Sequence, residues 1–110
     1  MALLSVLQAV REESEIEFVA ADAGGDEFVN TGREAVIITN NDSTPKTLTI
    51  VTQQTVDGEA VDDKEVVVPP GETHLVGPFP TGIYNRPADS RVELEYSAVT
   101  DVTVAIVRIA

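Results

Sequence analysis

Alternation of apolar and polar residues is the dominant pattern of this chain. From Arg91 to Ser97 it sets Val92, Leu94 and Tyr96 against Glu93 and Glu95, the signature of a strand with one buried and one wet face. Lys46 to Thr52 alternates in the same way, with Thr47, Thr49 and Val51 opposite Leu48, Ile50 and Thr52. Near the start, Ile16, Phe18 and Ala20 alternate with Glu15, Glu17 and Val19 and predict a first strand. Two runs are apolar on both sides: Ala35 to Ile38 within Glu34 to Thr39, and Val102 to Ile109, which reads as a central strand. The β-branched run Glu65 to Val68 stops at Pro69-Pro70-Gly71, and the short run Thr73 to Val76 stops at Gly77-Pro78-Phe79-Pro80. Proline fixes φ and donates no ladder hydrogen bond, so these prolines belong at strand ends or sheet edges.

Between the runs lie turn signals. Ala23-Gly24-Gly25-Asp26 breaks the first strand, Asn40 to Pro45 separates two strands expected to form a hairpin, and Asp57-Gly58 with Asp62-Asp63 marks an exposed acidic connection with room for a short strand. Pro80 to Ser90 reads as a surface loop that carries Tyr84 and Arg86 outward or across a rim. The Thr73–Val76 strand either pairs with the one before it or crosses to another sheet. The result is an all-β fold: a small antiparallel β-sandwich, jelly-roll-like or Ig-like, of about seven or eight strands with a short N-terminal arm or helix. Residues 1–19 form that arm and the first strand, and residues 20–110 form the sandwich of a single domain.

The arm is ambiguous in form. Leu3, Val6, Leu7 and Val10 fall at helical spacing, and Arg11, Glu12 and Glu13 close the segment with charge. A short helix and an extended arm both fit. The segment lacks a basic start, its apolar core is too short for a secretory signal, and no stretch approaches the length of a membrane span, so it is expected to belong to the mature protein. It either packs on its own core or docks on a neighbouring subunit. The apolar end at Ala110 is likewise expected to be tucked in or covered by a neighbour.

With 110 residues the chain has room for one core, and its low aromatic content makes that core thin and aliphatic. No cysteine is present, which excludes disulfides, thiolate metal sites and cysteine nucleophiles. The formal charge of −12 arises from 19 carboxylates against 7 basic residues. Phosphate contacts need clustered Lys and Arg, so neither nucleic acid nor an anionic membrane is an expected partner. Self-repulsion weakens assembled states at low ionic strength, whereas molar salt shortens the Debye length to about 3 Å and favours them. The balance suits a saline, halophilic setting.

Catalytic signals are weak. His74 is the single histidine and no nucleophile elbow of the Gly-x-Ser-x-Gly kind accompanies it. The acidic connection lacks the alternating oxygen ligands and final glutamate of a calcium loop. Gly24-Gly25-Asp26-Glu27-Phe28 spells the signature of diguanylate cyclases, but that motif sits inside a larger α/β domain with helices upstream, and alternating strands surround it here. It reads as a glycine turn. Asn41-Asp42-Ser43 fits a glycosylation acceptor only formally, since a tripeptide of this kind is common by chance. No enzyme, metal or cofactor is therefore expected, and a ligand-binding module would need more exposed aromatics than two Tyr and no Trp provide.

The order Gly25-Asp26-x-Phe28-x-Asn30-x-Gly32-Arg33, Val67-x-Pro69-x-Gly71, Gly77-Pro78-Phe79, Tyr84-Asn85 and Tyr96-Ser97-x-Val99-Thr100-x-Val102-Thr103-Val104 resembles that of small auxiliary proteins of tailed viruses, which decorate or cement the capsid. The resemblance implies a non-enzymatic virion protein on the outer capsid surface that binds the major capsid protein as a homo-oligomer, often a homotrimer. A head-tail completion or tail protein of the same viruses is the alternative, and a small ligand-binding β module the next. The capsid or subunit interface candidates are Leu3, Leu4, Val6, Leu7 and Val10 in the arm, and Phe79, Tyr84 and Arg86 in the Gly77–Pro87 rim.

Overall fold

A computed structural model describes residues 2–9, 15–53, 55–56 and 58–109. Val10, Arg11, Glu12, Glu13, Asp57 and Ala110 lie outside them. Two sheets pack face to face over a core drawn from the inward residues of the longer strands. The first sheet runs in the order β1 (Ala2–Leu3), β4 (Asp26–Val29), β11 (Arg91–Tyr96), β6 (Lys46–Val51) and β9 (Lys64–Val68). The second runs β10 (Thr73–Val76), β5 (Glu34–Asn40), β12 (Val102–Arg108) and β2 (Val6–Gln8), with β3 (Val19–Ala20) also on β12. A small hairpin of β7 (Thr55–Val56) and β8 (Glu59–Ala60) fills the acidic connection. One helical turn, α1 (Thr81–Tyr84), follows Pro80.

The alternation read from the sequence sets the core. Phe28, Leu48, Ile50, Val68, Val92 and Leu94 point inward from the first sheet and meet Val36, Ile38, Val102, Val104 and Ile106 from the second, all excluded from solvent. Burying such side chains contributes about 1.5–3 kcal/mol each before chain entropy is set against it. The core is aliphatic at its centre and aromatic at one end, where Phe79 packs between Phe28 and Tyr84 at ring separations of 6.0 and 5.6 Å.

Three expectations are corrected. β5 and β6 do not form a hairpin: β5 pairs with β10 and β12, whereas β6 pairs with β11 and β9 in the opposite sheet. The Asn40–Pro45 turn therefore crosses the sandwich, and Asn40 anchors it from inside by donating to the Thr44 and Val68 carbonyls. The first strand shrinks to Val19–Ala20, because β2 occupies β12 at Ile106–Arg108 and leaves only Thr103 and Val104 for β3. Ile16 and Phe18 stay exposed. The sheets are mixed rather than purely antiparallel, since the arm joins each by a parallel pair, β1 on β4 and β2 on β12. The arm is thus extended, not helical. Leu4 and Val6 pack against the core from the side of the sandwich where the arm passes between the sheets.

Candidate functional site

One end of the sandwich collects the turn at Asn30–Arg33, the connection from Gly77 to Ser90 and the end of β12. Two buried asparagines tie it together. Asn30 donates to the Phe79 carbonyl at 3.0 Å and to Asn85 Oδ1 at 2.7 Å, and Asn85 Nδ2 donates back to the Asn30 carbonyl at 2.9 Å. Every one of these groups is buried, so their mutual pairing avoids the cost of an unsatisfied amide. The rim is therefore a rigid corner and not a loose loop. Phe79, only 3% exposed, is core and offers a partner almost no surface, while Tyr84 is half-buried against it.

Arg86 turns from this corner onto the outer face of the first sheet. Its guanidinium reaches Glu27 at 2.7 Å, Glu93 at 2.7 Å and Asp89 at 2.7 Å, and Arg91 meets the other Glu27 oxygen at 2.8 Å. Hydrogen bonds to Asp89 and Glu27 push the Arg86 pKa above its ordinary value, and Arg86 in turn holds Asp89 below the usual carboxylate range. Arg86 thus serves its own sheet first. Glu95 and Glu65 continue the same face, so its outward strand positions are carboxylate-rich.

The outer face of the second sheet is the opposite in character. Residues in register share a face, so Leu75, Ile37 and Ala105 form one row, Ala35, Val107 and Leu7 a second, and Thr73, Thr39, Thr103 and Ala20 a third. None of these side chains is charged. Leu75 is 69% exposed and Ile109 60% exposed, and with Ala35, Pro78 and Gly77 they border a shallow groove of about 690 Å³ that Arg33 and the buried, Arg108-paired Glu34 also line. Thr39 and Thr73 hydrogen bond each other at 2.9 Å. This neutral sheet face on a chain of net charge −12 is the candidate site.

Of the residues singled out from sequence, Leu7 lies on this face, Leu3 is exposed on the edge strand β1 of the first sheet, and Leu4 and Val6 are turned into the core margin. Val10 is outside the described residues. Ile37, Ala35, Val107 and Leu75 were not singled out. Their signal was the pair of runs apolar on both sides: in a two-layer sandwich a sheet has one inner face, so the second apolar side of each run lies on the outer one, where Ala105 is 6% exposed and Leu75 69%. His74 faces the other way and pairs with Glu72 at 2.9 Å. Among the described residues no group of three or more His, Asp and Glu side chains is placed to hold a metal, and no helix is long and apolar enough to cross a membrane. No protein-family model, curated protein or solved structure gives a significant match to the chain.

Proposed function

We propose that this protein is a non-enzymatic structural component of a tailed virus that decorates the outer surface of an icosahedral capsid and stabilises it by binding the major capsid protein. The observation that carries the reading is the contrast between the two outer faces. The neutral face of Leu75, Ile37, Ala35, Val107 and Leu7 can seat on a shell without desolvating a carboxylate, while the acidic face turns to solvent and keeps the coated particle soluble. A rigid sandwich suits a clamp, because little conformational entropy is lost when it binds. Leu7 of the arm and Gly77 and Pro78 of the rim border the same face and extend its reach to neighbouring subunits, whereas Arg86 lies on the acidic face.

The test is cosedimentation of purified chain with shells that lack it. The wild-type protein is expected to pellet with the shells to saturation. Ile37→Glu, which places a carboxylate at the centre of the neutral face, is expected to stay in the supernatant with an unchanged circular dichroism spectrum. Wild-type protein that never pellets, or an Ile37→Glu variant that pellets equally, contradicts the reading.

A further inference from the structure

The two sheets present four edges, and three of them are guarded. Strand edges offer unpaired N–H and C=O groups to any passing chain, and natural sheets blunt them with short strands, charge or proline. In the first sheet, β1 is two residues long, and β9 opens with Lys64 and Glu65. In the second sheet, the edge on the β12 side is β2, only three residues long. The remaining edge, β10, has the sequence Thr-His-Leu-Val, with no proline and no formal charge on its outward-facing side chains.

The backbone of β10 is oriented for pairing. The Asn40 N–H donates to the Glu72 carbonyl at 3.0 Å, which makes the Thr73–Thr39 pair a non-hydrogen-bonded one. By the alternation of an antiparallel ladder, His74 and Val76 bond to β5, and the N–H and C=O groups of Thr73 and Leu75 point away from the sheet. Among the described residues Leu75 is also the most exposed of the large apolar side chains, at 69%.

We propose that β10 is a homotypic interface, occupied by β10 of a second copy of this chain in antiparallel register about His74. In that register Thr73 of each copy pairs with Leu75 of the other, and the four outward groups are satisfied by their own counterparts. Self-complementarity singles out a second copy as the occupant. Charge sets where two copies can meet: with −12 on each chain, repulsion is least along an edge flanked by Thr73, Leu75 and the neutral sheet face, where Glu72 is paired with His74, and away from Glu27, Glu93 and Glu95. The two second sheets then join into one sheet with a single continuous neutral face. This pairing is two-fold, unlike the threefold arrangement that the resemblance to decoration proteins implies, and it does not rest on the capsid reading.

The test is sedimentation equilibrium of the purified full chain in molar salt, where repulsion is screened, combined with amide hydrogen exchange at high and low protein concentration. A particle of twice 11.7 kDa is expected. The Thr73 and Leu75 amides are expected to gain protection with concentration, while those of His74 and Val76 are protected throughout. Thr73→Pro removes an outward donor and the hydroxyl contact with Thr39 but no backbone bond to β5, and is expected to raise the dimer dissociation constant at least about tenfold. Leu75→Lys, which guards the edge with charge, serves where the proline variant fails to fold. A monomer or trimer at all concentrations, unprotected Thr73 and Leu75 amides in an associated state, or undiminished pairing in a folded variant overturns the proposal. Shell binding is read separately by cosedimentation, so either reading can fail alone.

Discussion

Arg108, near the end of the last strand, places its guanidinium against the carboxylate of Glu34, which is fully buried at the start of the neighbouring strand. Burial pushes the Glu34 carboxyl up, but hydrogen bonds from the Thr31 backbone, Arg108, the Thr31 hydroxyl and the Arg33 backbone outweigh it and hold the group below its ordinary value of 4.5. A buried carboxylate left without its cation is costly, so Arg108→Ala is expected to destabilise the fold by about 2–4 kcal/mol, measured by chemical denaturation.

The same pair sets a pH dependence. A carboxyl whose folded pKa is depressed contributes stability above its unfolded value, and that contribution is lost as pH falls through the folded value. The melting temperature of the wild type is therefore expected to fall below about pH 4.5. In Arg108→Ala the depression shrinks, so the variant starts lower and loses less on acidification. Parallel acid curves for the two proteins would contradict this role for Arg108.

Gly77 closes the strand before the rigid corner with φ of 138°, and a Cβ built there would stand 2.9 Å from the Ala35 Cα and 2.9 Å from the Glu34 carbonyl oxygen. Both neighbours are backbone and cannot rotate aside. Gly77→Ala is expected to cost on the order of 2 kcal/mol or more in thermal or chemical unfolding. Gly58→Ala serves as the contrast, since its φ of 79° is also positive but nothing lies within 4 Å of the added carbon.

Removing residues 2–8 strips one parallel strand from each sheet and takes Leu4 and Val6 off the core. The remaining sandwich keeps all thirteen of the described residues that form its buried apolar cluster. The truncated chain is expected to fold with about 2–4 kcal/mol less stability and to bind shells more weakly. Unfolding outright, seen as loss of the β-sheet circular dichroism signal, would make the arm part of the obligatory core.

The inner face of the fold was legible because Val92 and Leu94 against Glu93 and Glu95, or Leu48 and Ile50 against Thr47 and Thr49, state their faces locally. Which sheet a strand joins was not. The Asn40–Pro45 cluster announces a turn, yet the partner of β5 is β12, more than sixty residues later, and no local signal encodes that choice. Leu3, Val6 and Leu7 sit at helical spacing over a segment too short to separate a helix from two strands that cross between sheets. Glu34 opens its strand as a charged residue usually does at the surface, and only Arg108 reveals it as buried. The neutral outer face was written in Ala35–Ile38 and Val102–Val107, but it needed the topology to show which of their two apolar sides lies outside.

The measurement that tests the central claim most directly is quantitative mass spectrometry of purified particles from the source that produces this chain, counting its copies against the major capsid protein. A decoration role predicts a ratio near one-to-one. A handful of copies per particle would move the protein to the head-tail junction, and its absence from the particles would contradict the capsid reading.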